Sequence, residues 1–437
     1  MAFLLLLFFL LGPSTVSSRS IDNIILPLHH PQLVYSPPSL SFTVDDIIQS
    51  DEYRVKNLIS RIQYSGEVEQ KKMSEGSFVK IPLDSGLSLG VGNFVTKIQL
   101  GTPAKEYIMV VDTGSTLTWL QCQPCLVSCY DQEGPLFNPN SSTTYSTVAC
   151  SSSDCSGLVK ATLNKPGCTK DGDVCIYVAS YGDSSFSVGY LVKDRLSFGK
   201  STKLPDFTYG CGQNNVGLFG KAGGLIGLSK NNMSMLGQLS TKVGKAFTYC
   251  LPTFKSTSSG YLSIGSSKST QSFSYTPLIQ NSLDSSLYYV NLTDITVGSD
   301  SISVPASAYA AASTIIDSGT VITRLPTSVY VALSKAVSKS LSKHTKAPPY
   351  SILDTCFKGT YRSLSDPKIG LVFADGAKLK LAPINMFYDI DYKGITCLAF
   401  AGDSGDVAII GNVQQLTFSF SYDVANSRLG FAPGGCT

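Results

Sequence analysis

The sequence predicts a mainly β protein built as two lobes. Three observations carry this. The chain has 437 residues, more than one hydrophobic core usually serves. Its 38 glycines punctuate short runs rich in Val, Ser, Thr and Tyr, the pattern of strands joined by tight turns. A nine-residue device also occurs twice, as VVDTGSTLT at 110–118 and IIDSGTVIT at 315–323. Each copy reads as two β-branched residues, Asp, a hydroxyl residue, Gly, a second hydroxyl residue, any residue, an aliphatic one and Thr.

The chain begins with FLLLLFFLL at 3–11. Nine apolar residues suit the core of a secretion signal and are too few to span a bilayer. Val16 and Ser18 are small enough to flank a cleavage site, so 1–18 is expected to be a signal peptide. No later stretch is long enough to cross a membrane, and no membrane anchor is expected. Residues 19–77 are expected to be a removable prosegment. Within them, 45–63 carries Ile48, Val55, Leu58, Ile59 and Ile62 at helical spacing among charges. Residues 67–77 read as an exposed linker. The body divides into an N-terminal lobe, 78–268, and a C-terminal lobe, 269–437.

From residue 94 the chain reads as strands. FVTKIQLG (94–101) and EYIMVVDTG (106–114) flank a Thr-Pro turn, and 177–199 reads as two strands about a turn. Further strands are expected at 246–251, 260–265, 288–298 and 395–402. A helix is expected at 328–343, where apolar residues recur every three or four positions. Few others are expected.

Twelve cysteines, seven of them between 122 and 175, point to an oxidising destination on the secretory pathway. The C-x-x-C at Cys122 and Cys125 would also suit zinc, but behind a secretion signal disulfides are the better reading. No metal or cofactor is expected. Sequons at Asn140, Asn232 and Asn291 are candidate glycan acceptors. The net charge of +3 is small and dispersed, which argues against nucleic acid as a partner.

The repeated device carries the chemistry. Its β-branched pair ends a buried strand, and its Gly permits a tight turn. The carboxylate is then held by backbone N–H groups and by the hydroxyl of Ser115 or Thr320. Two such carboxylates facing each other across the lobes cannot both ionise, so they share one proton. One can take a proton from water while the other protonates a carbonyl. Asp-Ser-Gly also occurs at Asp84 and Asp403, without the flanking pattern; both read as turn aspartates. Three further features align with the device. Trp119, the only Trp, lies seven residues after Asp112; Tyr181 sits at the turn of the 177–199 hairpin; and Leu225-Ile226-Gly227 recurs as Ile409-Ile410-Gly411.

In this order the motifs resemble those of a pepsin-type aspartic protease. QCQPCLVSCYDQEGPLFNPNSSTTY (121–145) and CGQNNVGLFGKAGGLIGLS (211–229) are similar to segments of its plant nepenthesin-like branch. The resemblance covers about 78–437 and implies the bilobal pepsin-like fold with its cleft between two β-rich lobes. It implies a monomeric aspartic endopeptidase acting on polypeptides at acidic pH, made as a zymogen. Asp112 and Asp317 would be the catalytic dyad, with Thr113, Gly114, Ser115, Ser318, Gly319 and Thr320 supporting it. Thr113 and Ser318 would exchange hydrogen bonds with the opposite loop. Tyr181 would close over substrate, bonded to the Trp119 indole, and Gly227 and Gly411 would lie beneath the loops. Ser184 stands where the family carries Gly, which would stiffen or re-aim the hairpin tip. The implied disulfides are Cys122–Cys125, Cys129–Cys211, Cys150–Cys175, Cys155–Cys168, Cys250–Cys436 and Cys356–Cys397.

Other chemistries fit poorly. Of three histidines, His29 and His30 fall in the expected prosegment, leaving His344 for the body. No H-E-x-x-H is present, and no nucleophile-elbow G-x-S-x-G precedes an expected helix. The rival from another class is a non-catalytic binding protein on the same fold, such as a glycoside-hydrolase inhibitor. Retention of both aspartates separates the two readings.

Overall fold

The computed structural model describes residues 44–64, 79–85 and 92–436, apart from 182–184, 199–201, 218, 255, 257–258, 266–270, 282–283, 311–312, 365–366, 391–393 and 406. The expected signal, the 67–77 linker and Ser184 lie outside the described residues.

Two copies of one substructure face each other. In each, a buried strand runs into an Asp loop with a second strand parallel beside it. Lys105–Asp112 pairs with Gly224–Gly227, Gly227 opposite Asp112. Ser313–Ile316 pairs with Val407–Ile410, Ile316 opposite Ile410. A third strand then lies antiparallel to the second, with Trp119 opposite Leu225 in one lobe and Arg324 opposite Ile409 in the other. Strands covered on both faces read as unbroken apolar runs, as Val110-Val111 and Ile315-Ile316 do.

One sheet ties the lobes together. From one edge its order runs Ser274–Pro277, Arg428–Ala432, Ser419–Asp423, Ala246–Cys250, Gly260–Ile264 and Val79–Ser85, and it continues into the first lobe through Phe94–Leu100. The seam is the antiparallel pair with Tyr249 opposite Phe420. In the same pair Phe247 lies opposite Tyr422, and their rings stack 4.3 Å apart. The predicted hairpin is Cys175–Ser180 and Phe186–Phe198, antiparallel, with Ser180 opposite Phe186.

The predicted C-terminal helix spans Thr327–Ser340, burying Val329, Leu333 and Val337. Two more helices, Ser153–Thr162 and Met235–Val243, lie where none was expected. Each opens on a Ser whose side-chain oxygen accepts a backbone N–H: Ser152 from Cys155 and Ser234 from Gly237. That capping stabilises a short helix whose periodicity is weak. The N-terminal amphipathic stretch is a helix, Val44–Tyr64. Ile47 and Ile48 pack with Val321 and Ile322, while Val55, Leu58 and Ile62 pack with Leu287, Tyr289, Ile315 and Ile409. Ile59, expected in the buried stripe, is only half-buried. The helix therefore lies on the second lobe.

All twelve cysteines are paired, but four of the implied pairings are corrected. Cys122 joins Cys211 and Cys125 joins Cys129, in place of Cys122–Cys125 and Cys129–Cys211. The cause is strand pairing: Leu120 lies beside Cys211, and the Cys122 N–H reaches the Gly212 carbonyl at 3.0 Å. Cys150 joins Cys168 and Cys155 joins Cys175, in place of Cys150–Cys175 and Cys155–Cys168. Here the helix Ser153–Thr162 packs Cys155 into one cluster with Cys175 and Tyr177, while Cys150 lies within 3.7 Å of the Gly167 carbonyl. Cys250–Cys436 and Cys356–Cys397 pair as the resemblance implied. Asp84 is also corrected: it sits in a strand opposite Val95, not in a turn. Asp403 accepts the Gly405 N–H at 2.7 Å, as a turn aspartate does.

Candidate active site

The two Asp loops meet at the centre of the molecule. Asp112 and Asp317 are both fully buried. Each carboxylate is held by its own loop in the same way. Asp112 accepts the Gly114 N–H at 2.9 Å and the Ser115 hydroxyl. Asp317 accepts the Gly319 N–H at 3.2 Å and the Thr320 hydroxyl at 2.7 Å. The second hydroxyl of the nonapeptide thus serves both copies alike.

The first hydroxyl braces the opposite lobe. Thr113 Oγ1 donates to Asp317 Oδ1 at 3.1 Å and accepts the Ser318 N–H at 2.9 Å. Ser318 Oγ accepts the Thr113 N–H at 3.2 Å and donates to the Val111 carbonyl at 3.3 Å. The exchange is buried, so each bond is worth more than it would be in water.

The paired aliphatic-Gly strands support the loops from beneath. The Leu228 N–H donates to the Asp112 carbonyl at 2.9 Å, and the Asp317 N–H to the Ile410 carbonyl at 3.1 Å. A Cβ at Gly227 would collide with the Thr116 carbonyl, and one at Gly411 would come within 2.6 Å of the Val321 carbonyl. Only glycine lets the backbones approach this closely.

Trp119 is fully buried, and its Nε1–H donates to the Tyr181 hydroxyl at 2.7 Å. Phe219 packs edge-on to both rings, 4.9 and 5.5 Å away. The hairpin is thereby tied to the wall of the first lobe.

Three site residues escaped the sequence reading. Arg54, on the N-terminal helix, forks onto Asp112 through both terminal nitrogens, Nη1 at 2.6 Å from Oδ2 and Nη2 onto Oδ1. The same Nη2 lies 3.2 and 3.4 Å from the two oxygens of Asp317. One nitrogen thus touches carboxylates from both lobes. One helical turn earlier, the buried carboxylate of Asp51 accepts the Val321 N–H, and the Ile322 N–H at 3.0 Å. It also pairs with the buried Arg324 guanidinium at 3.1 Å. The helix pattern held the signal for Asp51, which occupies a slot of the stripe Ile48, Asp51, Val55, Leu58, Ile62, where a charge has no bland explanation. Arg324 lies seven residues after Asp317, as Trp119 does after Asp112.

Electrostatically the dyad is divided. Burial pushes the Asp112 carboxyl above its ordinary value, and the neighbouring Asp317 adds to this against the pull of Arg54. At Asp317 burial acts in the same sense, but Arg54 and hydrogen bonds from Thr320, Gly319 and Thr113 outweigh it and lower the pKa. Burial alone would lower Arg54, yet the carboxylates, Asp112 first, hold it fully charged. Burial also raises Asp51, with Arg324 and the two N–H groups pulling it down. Such a set can hold one proton between two carboxyls, which acid–base chemistry at an amide needs.

The chain is similar to known proteins over most of its length. Residues 94–266 match the family described as xylanase inhibitor N-terminal, and 287–433 the one described as xylanase inhibitor C-terminal. An aspartyl protease family protein of Arabidopsis thaliana is 40% identical over 90% of this chain and 82% of its own length. Aspartic proteinase nepenthesin-2 of Nepenthes gracilis is 31% identical over 94% of this chain and 92% of its own. The crystal structure of basic 7S globulin from soybean superposes with a TM-score of 0.64 at 22% identity, over 82% of this chain and 96% of that one. The chain belongs to the pepsin-type aspartyl protease family, on its plant nepenthesin-like branch.

Proposed function

We propose that the chain is an aspartic endopeptidase made as a zymogen, its N-terminal helix blocking the dyad until removed. The observation that carries this is the reach of one Arg54 nitrogen to carboxylates of both lobes. A guanidinium bridging the pair occupies the place where water and a scissile carbonyl would meet. It also neutralises the base, so no proton can be drawn from water while it stays.

With the helix gone, the dyad shares one proton. The ionised carboxyl takes a proton from water, and the water oxygen bonds to the peptide carbonyl carbon. The protonated carboxyl gives its proton to the carbonyl oxygen, leaving a neutral diol. Proton transfer to the amide nitrogen then lets the C–N bond break, yielding a carboxylic acid and an amine and restoring the shared proton. No covalent enzyme intermediate forms. Activity is acidic because the dyad fails once its second proton is lost.

The substrate is a polypeptide and the enzyme a monomer. The secretory pathway, to apoplast or vacuole, follows from the signal-like 1–18. Exposed Asn140, Asn232 and Asn291 are suited to carry glycans in that setting. The matched families are named for xylanase inhibitors, which favours a second reading, a non-catalytic inhibitor. That role needs neither carboxylate, whereas here both are retained with every supporting bond.

The test is casein cleavage by the full chain after acid incubation, with and without pepstatin. Cleavage that follows loss of the helix and stops with pepstatin supports the enzyme. No cleavage after the helix has been cut away supports the inhibitor.

A further inference from the structure

The groups that hold Asp51 belong to the body of the protein and outlast the helix. They are the N–H groups of Val321 and Ile322 and the guanidinium of Arg324. Arg324 is 4% exposed. Its Nη1 donates to the Ile322 carbonyl at 2.8 Å as well as pairing with Asp51. Its Nη2 is buried without a hydrogen-bond partner among the described residues. Two adjacent N–H groups plus a guanidinium form a receptor for a carboxylate, which accepts on both oxygens.

The receptor adjoins the second Asp loop. Val321 and Ile322 directly follow Thr320, which holds Asp317. Asp51 reaches them from one turn before Arg54, the residue on the dyad. When the helix leaves, these donors line the wall next to the catalytic loop. Water meets these donors one at a time, whereas a carboxylate accepts from the paired N–H groups and the guanidinium together, so a ligand carboxylate that replaces Asp51 is bound selectively. The matching wall of the first lobe carries Trp119, which offers no charge.

We propose that Val321 N–H, Ile322 N–H and Arg324 form a substrate subsite for an acidic side chain, a few residues from the cut bond, which Asp51 occupies in the uncleaved chain. This rests on the endopeptidase reading and names a substrate class for it. The bland alternative is that Arg324 only fastens the helix and takes no part in substrate choice.

The test uses the full chain, converted by acid incubation, on paired peptides with amidated C-termini. Each pair differs only by Asp or Asn at one of the positions flanking a common cleavage site. At about pH 5 a free Asp side chain is ionised. At one position Asp is expected to be favoured about tenfold or more in kcat/KM. That preference should shrink as pH falls below about 4 and the peptide carboxyl protonates. Arg324→Gln should bring the ratio to about one. Because Arg324 is buried, the wild-type ratio and its pH dependence decide the matter even if the variant misfolds. Equal cleavage of Asp and Asn peptides at every position overturns the subsite alone. Cleavage of no peptide overturns the endopeptidase reading and the subsite with it.

Discussion

The two lobes carry the same loop but diverge seven residues past each aspartate. Up to that point the bonds within each lobe match: Gly N–H and hydroxyl to carboxylate, and the N–H of the glycine beneath to a threonine hydroxyl, Thr118 in one lobe and Thr323 in the other; only the first hydroxyl differs, Thr113 donating to Asp317 and Ser318 to the Val111 carbonyl. Then the first lobe places Trp119 opposite Leu225 and the second places Arg324 opposite Ile409. Trp119 holds Tyr181 of the lobe's own hairpin. Arg324 holds Asp51 of a helix from outside both lobes. The shared part is what paired carboxyls require, while the divergent position decides what lies over the cleft on each side.

The largest expected effect tests the shared part. Asp112→Asn and Asp317→Asn should each lower turnover by at least about a thousandfold, since each removes one partner in the proton exchange. Circular dichroism should show the fold kept. A variant with near-normal rates, or a large inequality between the two, would break the equivalence of the lobes.

Next comes the bridge between them. Arg54→Gln in the full chain leaves two buried carboxyls without their cation, and breaking a buried pair is costly. Loss of the N-terminal helix, followed on gels, should quicken by about a hundredfold near neutral pH. The pH dependence has a definite sign. Asp317 is lowered in the docked state, with Arg54 a principal cause. A lowered carboxyl stabilises that state above its ordinary pKa of about 3.9 and loses the contribution as pH falls through the lowered value. The gap between wild type and Arg54→Gln should therefore be widest at neutral pH and close in acid. A gap that widens in acid would refute the ion-pair account.

Much of this is legible in the sequence. The nonapeptide located both aspartates because a strand–turn with buried carboxylate support tolerates few alternatives. The helix at 44–64 was legible because its stripe repeats at 3.6 residues. The partners of its charged residues were not, because Arg54 meets Asp112 across 58 positions and Asp317 across 263, and a periodicity has no information on what it packs against. The disulfides failed for the same reason. Whether Cys122 meets Cys125 or Cys211 depends on which strand lies beside residues 119–121, a lateral fact that spacing does not encode. The helix Ser153–Thr162 was missed because its apolar pattern is faint, although Ser152 marked its start.

A smaller effect sharpens the divergent half of the comparison. Asp51→Asn keeps the shape but places an amide against two N–H donors, so at most one stays satisfied, and it removes the charge opposite Arg324. Losses of this kind run about 1–3 kcal/mol. Helix release should quicken by about tenfold, less than for Arg54→Gln. An unchanged rate would mean that Arg324 does not hold the helix.

The smallest effect falls on the first lobe. Trp119→Phe keeps an aromatic ring against Phe219 and deletes the donor to Tyr181. A neutral hydrogen bond of this sort is worth about 0.5–1.5 kcal/mol, so kcat should fall by a few-fold to about tenfold. Some of any loss comes from the smaller ring, so Tyr181→Phe serves as the control, deleting the same bond from the other side. If the bond is the link, the double variant should be little worse than either single one. Additive losses would mean that the two side chains act separately. The parallel between Trp119 and Arg324, each fastening what covers its side of the cleft, would then hold for the second lobe only.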